Sequence, residues 1–204
     1  MTTNELTGIL IFLREAERLK NILRTSWTSG GQQESTASHT WRLCLMALVL
    51  ADYFPGVDRT RLLELCIVHD LGEAIHGDIP AIHQDANAPK ADRERADLLT
   101  LVAPLPTPIQ ERLVALWDEY EAAATPEAKI AKALDKLETI MQHNQGANPP
   151  DFDYAFNLDY GKKFTDGVPL AAMLRTVLDE ETRYKAVTSL NCDTDGVDKA
   201  VEQR

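Results

Sequence analysis

The chain has 204 residues, enough for one compact domain with a real hydrophobic core, and its 44% hydrophobic and 26% charged residues match an ordinary globular protein. A net charge of −11 argues against a nucleic-acid polymer as partner, because such partners need a basic stripe. It leaves room for a small anion whose pocket is made locally positive by a metal ion or an arginine.

The first periodic segment carries Leu6, Ile9, Leu10, Leu13 and Ala16 on one face and predicts a helix reaching Lys20. Its start has no basic region ahead of the apolar patch, so it does not read as a secretory signal, and the expected location is the cytoplasm. The polar stretch RTSWTSGGQQESTAS, 24–38, reads as a loop. A second helix is expected from Ser38 to Phe54, stopped by Pro55 and Gly56, and a third is expected to be capped by Asp58 and to end near Gly77. After a loop, helices are expected over Asp92 to Val102, Thr107 to Ala124 and Pro126 to Gln145, the last two opening on a Thr-Pro pair. A long loop then leads to a final helix from about Val168 to Leu190. The longest apolar runs, CLMALVLA and LLELCIV, fall well short of the roughly 20 residues of a membrane span. No segment alternates with period two between hairpin turns, so the expected fold is all-α, with about six to eight helices. Residues 1–190 are expected to form a single domain and 191–204 a polar tail. Cys44, Cys66 and Cys192 are odd in number and far apart, which suits a reducing compartment and suggests no zinc ribbon.

Titratable chemistry concentrates in CIVHDLGEAIHGDIP, Cys66 to Pro80, where an apolar run ends in His69, Asp70, Glu73, His76 and Asp78. Adjacent His and Asp at a helix end can both reach one divalent ion, and helical spacing brings Glu73 to the same side. Two ligands bind weakly, so more must come from elsewhere. His39, at the start of the apolar helix SHTWRLCLMALVLA, is the best candidate, followed by Asp135, which lies beside Ile130, Leu134 and Leu137. Taken singly, a histidine at a helix start is more often structural and such an aspartate more often a solvated flank. His76, His83 and His143 read as surface residues at loops or helix ends.

The order His39, His69-Asp70, Asp135, spread over three helices, resembles the HD-domain metal phosphohydrolases. The segments RTSW, ESTASHTWR, CIVHDLGEAIHGDIP and AKALDKLE narrow the resemblance to the HD-domain 5'-deoxynucleotidases, which dephosphorylate deoxyribonucleoside 5'-monophosphates. The resemblance implies a single helical bundle and a homodimer. It also implies one divalent ion, Co2+ or Mn2+ giving activity, held by His39, His69, Asp70 and Asp135; Mg2+, Fe2+, Ni2+ and Zn2+ suit the same ligand types. Glu73 is then the proton-transfer residue and Arg24 the phosphate-binding arginine. Asp78 accepts from the deoxyribose 3'-hydroxyl, with Ile79, Pro80 and Ala81 lining the sugar and base. Trp27 stands three residues after Arg24, whereas some members place it immediately after, so its phosphate-orienting role stays open here. Two other readings remain at this point. One is a different HD phosphohydrolase, acting on a cyclic dinucleotide, a nucleoside triphosphate or an alarmone; the other is a non-catalytic nucleotide-binding regulator.

Overall fold

The computed structural model describes residues 1–77 and 90–201, with side chains through residue 189. Helices α1 (Thr3–Ala16), α2 (Thr36–Leu50), α3 (Arg59–Val68), α4 (Glu73–His76), α5 (Lys90–Val102), α6 (Thr107–Ala122), α7 (Pro126–Gln145), α8 (Lys162–Thr165) and α9 (Pro169–Val201) build an all-α bundle. Short 3-10 turns extend α1 and α2, and another, Tyr154–Leu158, precedes α8. The last helix runs past its expected end at Leu190 to Val201. No helix among the described residues is long and apolar enough to cross a membrane.

One local departure matters for the site. The segment expected as a loop forms a two-stranded antiparallel sheet, β1 (Leu23–Trp27) and β2 (Gln33–Ser35), pairing Leu23 with Ser35 and Trp27 with Gln33. Its turn closes through Thr28 N to Gln32 O at 2.7 Å, with Gly31 at φ +79°. Strands this short leave too few residues for a period-two pattern, and the irregular register breaks what pattern there is. The ribbon packs β1 on α7 and delivers β2 directly into α2.

Helix α7 is the axis of the bundle and packs against α2, α3, α6, α8 and α9. Its start follows from Thr125, whose hydroxyl accepts from Ala128 N at 3.2 Å, with Pro126 at the first helical position. Leu134, Leu137 and Ile140 are fully buried beside Leu43 of α2 and Leu62 and Leu65 of α3 in one continuous core. Each such side chain contributes about 1.5–3 kcal/mol by leaving water. Because neighbours surround α7, its polar residues are buried too, and Asp135, Glu138, Thr139, Gln142 and His143 must find partners inside the protein.

The third helix is shorter than its sequence suggests. It starts at Asp58, whose carboxylate accepts from Thr60 N and Arg61 N, and stops at Val68. A tight turn over His69–Gly72 follows, held by Leu71 N to Val68 O and Glu73 N to Asp70 O, both 3.0 Å. Gly72 permits this turn to lie on α5: a Cβ there would sit 2.5 Å from the carbonyl oxygen of Glu94. Glu73 therefore opens a separate short helix instead of continuing the helix that carries His69 and Asp70.

Candidate metal centre

His39, three residues into α2, is fully buried, and His69 and Asp70 enter from the turn that ends α3. One ligand atom from each of these three residues lies within 4.8 Å of the other two. His39 Nε2 is 3.9 Å from Asp70 Oδ2, and His69 Nε2 is 3.0 Å from the same oxygen. Asp135 reaches the cluster from α7, its Oδ1 3.3 Å from His39 Nε2. Each group is oriented from behind. His69 Nδ1 lies 2.7 Å from the Cys66 carbonyl, which can only accept, so the proton sits on Nδ1 and Nε2 presents its lone pair. The His69 carbonyl accepts from Trp117 Nε1 at 3.1 Å. Asp135 Oδ2 accepts from the Tyr120 hydroxyl at 2.7 Å and pairs with Lys136 Nζ at 2.9 Å, which turns Oδ1 toward the histidines.

The chemistry of this donor set fits a cation. His39 Nε2, His69 Nε2 and Asp70 Oδ2 are buried and have no hydrogen-bond partner among the described residues. Two of those atoms, with Asp135 Oδ1, bring lone pairs together, which is costly in a buried place unless positive charge sits between them. Burial would push the Asp70 carboxyl up, but the neighbouring His69 and His39 rings and the Arg24 guanidinium hold it well below the usual carboxylate range. Burial acts the same way on Asp135, and Lys136 and the two histidines override it. For His39, burial and Arg24 oppose protonation, yet Glu138 and Asp135 raise its pKa from 6.5 to about 9.

A metal-free site thus answers the demand for positive charge with a proton on His39. The folded value lies above the unfolded one, so this proton stabilises the metal-free fold fully below pH 6.5, and the contribution is lost as pH rises through about 9. A metal ion must displace the proton. Titration of the ion near pH 7, in buffers of different ionisation enthalpy, should release about one proton per ion, with affinity rising toward pH 9. Proton release that is absent, or affinity that falls with pH, would place the ion away from His39.

Glu73, which opens α4 after the turn that carries His69 and Asp70, is buried. Its Oε2 accepts from Thr36 Oγ1 at 3.4 Å, and its Oε1 lies 3.3 Å from Lys90 Nζ. Arg24, on β1, reaches the cluster: Nη2 donates to Thr139 Oγ1 at 3.0 Å, Nε lies 3.4 Å from Glu34, and Nη1 lies 3.9 Å from Asp70 Oδ2. Trp27 is half-buried at the far end of β1, where its carbonyl accepts from Gln142 Nε2 of α7. Asp78, Ile79, Pro80 and Ala81 lie outside the described residues, as does His83.

The other histidines divide. His76 is exposed and pairs with Asp97 of α5, as a surface residue would. His143, expected at the surface, is buried instead, with Nδ1 2.8 Å from Asn157 Oδ1, because α7 is covered by α9 and the turn before α8. Sequence reasoning also missed Glu34, Arg42, Tyr120 and Glu138. Only Glu138 carried a signal: it stands three residues after Asp135, next to the buried Leu137, on the same helix face.

Comparison with known proteins is consistent with this geometry. Residues 16–170 match the family model described as HD domain. A protein of Danio rerio named 5'-deoxynucleotidase HDDC2 is 35% identical over 140 residues, covering 68% of this chain and 69% of that protein. A protein of Schizosaccharomyces pombe named 5'-deoxynucleotidase hdd1 is 34% identical over 142 residues, covering 66% and 70%. Among solved structures, a predicted metal-dependent phosphohydrolase from Magnetospirillum magnetotacticum superposes with a TM-score of 0.77 at 30% identity, covering 90% of this chain and 95% of that one.

Proposed function

The chain belongs to the HD domain family, and from that premise we propose that it is a metal-dependent 5'-deoxynucleotidase. It hydrolyses deoxyribonucleoside 5'-monophosphates to deoxynucleoside and phosphate. The observation that carries this reading is the convergence of buried, unpartnered ligand atoms of His39, His69 and Asp70 in a chain similar to proteins named for that activity.

Phosphate monoesters hydrolyse extremely slowly without a catalyst, so the site must stabilise charge on the phosphoryl oxygens. A divalent ion held by His39, His69, Asp70 and Asp135 would supply that stabilisation as a Lewis acid and make water more acidic. Arg24 binds the phosphate: its guanidinium is anchored by Glu34 and Thr139 and stands beside Asp70, and its planar fork suits phosphate oxygens. Glu73 moves the proton between water and the leaving sugar oxygen, with Thr36 and Lys90 setting its orientation. Asp78, with Ile79, Pro80 and Ala81, reads the deoxyribose and base, as the resemblance implies. Trp27 is assigned to the substrate side on the resemblance alone, since its odd spacing from Arg24 along β1 does not put the two side chains on one strand face.

Within this reading the active ion is Co2+ or Mn2+, which the mixed imidazole and carboxylate donors suit. The protein works in the cytoplasm as a homodimer, and its ligand is a nucleotide rather than a nucleic-acid polymer. The net charge of −11 supports the choice of ligand. The exposed apolar stripe of Trp41, Leu45, Leu48 and Val49 on α2 supports self-association. Phosphate release from matched 2'-deoxy and ribo 5'-monophosphates, with Co2+, Mn2+, Mg2+ or no metal added, tests the proposal. Turnover of the deoxy series that requires added metal is expected. Binding without turnover under every metal would replace the enzyme with a nucleotide-binding regulator, and turnover confined to cyclic dinucleotides or triphosphates would move it to another branch of the family.

A further inference from the structure

Behind the ligand cluster lies a second group of buried charges for which the proposed reaction has no use. Glu138 is fully buried on α7, three residues beyond Asp135. Arg42 stands three residues beyond His39 on α2. Residues three apart share a helix face, so the two helices meet as a pair of ladders. His39 touches Asp135 through Nε2 and Glu138 through Nδ1, and Arg42 Nε donates to Glu138 Oε1 at 2.6 Å. Glu34 of β2 also borders this group, its carboxylate within 4.8 Å of the nearest His39 and Glu138 ligand atoms.

Three acceptor-rich residues together could suggest a second ion, but the contacts argue otherwise. Glu138 Oε2 is already against His39 Nδ1, and Oε1 is taken by Arg42, so both oxygens have donors. On the ring of His39 itself the unpartnered atom is Nε2, on the side of His69 Nε2 and Asp70 Oδ2, whereas Nδ1 is against Glu138; behind it, Glu34 Oε2 and Arg42 Nη2 also lack a hydrogen-bond partner among the described residues. One ring therefore has a satisfied back and an unsatisfied front.

We infer that Glu138, clamped by Arg42, is a positioning residue that keeps the His39 proton on Nδ1 and so presents the Nε2 lone pair to the metal. A carboxylate is the side chain that does this unambiguously, because both oxygens accept and neither can donate. Glutamine has the same shape but one accepting and one donating end. Beside Arg42, its oxygen is drawn to the guanidinium and its NH2 is turned to His39. The imidazole must then accept at Nδ1 and carry its proton on Nε2, the form that cannot bind metal. Removing the arginine lifts that constraint, and the glutamine oxygen can turn back to Nδ1–H.

The inference rests on the metal reading of the site, and the test separates the two. Co2+ is titrated into full-length metal-free protein and followed by its visible absorption, for wild type, Glu138→Gln, and Glu138→Gln combined with Arg42→Met, with circular dichroism to compare folding. Glu138→Gln should weaken Co2+ binding by about 10–100-fold, the range for removing a partner of a metal-bound histidine. The double variant should recover most of that loss. Wild type that takes up no Co2+ defeats the metal reading itself. Wild type that binds Co2+ no better than Glu138→Gln leaves the metal reading standing and defeats the role of Glu138. A double variant as weak as the single one shows a general packing loss and also defeats it. Nitrogen NMR of His39 in metal-free wild type at about pH 10 gives a measurement that needs no variant to fold. A proton on Nδ1 is expected, and a proton on Nε2 overturns the inference.

Discussion

Asp70→Asn is expected to abolish detectable uptake of Co2+ or Mn2+ and to lower phosphate release from deoxynucleoside monophosphates by about 10³-fold or more. The estimate takes the several kcal/mol that a Lewis acid contributes to phosphoryl charge stabilisation, at about 1.4 kcal/mol per tenfold in rate. Asparagine keeps the volume of the side chain, so the turn after α3, held by backbone bonds and by Trp117, should keep its shape. What changes is charge. Asp70 Oδ2 lies 3.0 Å from His69 Nε2, 3.9 Å from His39 Nε2 and 3.9 Å from Arg24 Nη1, and without this carboxylate the front of the site keeps only that of Asp135 against two imidazoles and a guanidinium. A second cation is then repelled as well as under-coordinated. Calorimetric metal titration with an unchanged circular dichroism spectrum checks the result, and wild-type affinity in this variant would remove Asp70 from the ligand set.

Glu73→Gln should behave in the opposite sense. Its carboxylate is not one of the mutually close ligand atoms, and it is held from the side by Thr36 Oγ1 and Lys90 Nζ. Glutamine fills the same buried space and can still accept from Thr36, but it cannot take a proton from water. Turnover should fall by about 10²–10⁴-fold, the usual contribution of a positioned proton-transfer group. Metal affinity should stay within about threefold of wild type, because the donor set is intact. Single-turnover rates beside metal titrations of the same preparation separate the two quantities. Full turnover would take Glu73 out of the mechanism, and lost metal binding would make it a ligand. The two variants divide the site into a part that holds the ion and a part that moves the proton.

The helical elements were legible because apolar residues repeat at helical spacing and the starts carry their own signals, Asp58 for α3 and Thr125-Pro126 for α7. The hairpin was not, since five- and three-residue strands with irregular register are too short to alternate visibly. The break after Val68 was hidden for a different reason. In LCIVHDLGEAI the single Gly72 is only a weak local signal, and its role shows in the fold, where its lack of a side chain lets the turn lie against the backbone of α5. His143 was misplaced for a similar cause, as its burial depends on elements distant in sequence.

At the site, residue types made His39, His69, Asp70 and Asp135 candidates, because metal ligation demands imidazole and carboxylate, but taken singly His39 and Asp135 were weak signals and only the resemblance to a known family joined the four into one ligand set. Their partners were not readable in that way. Glu34 and Arg42 look like ordinary surface charges, and Glu138 is marked only by its place beside Leu137 on the Asp135 face, until α2, α7 and the β1–β2 ribbon close around them. What the sequence by itself determined is which atoms could bind an ion. Only the tertiary structure decided which face of each ring and carboxylate is turned to it, because orientation is set by the hydrogen bonds behind the ligands, and for His39 these come from Glu138, held in turn by Arg42, on a helix more than 90 residues away in the chain.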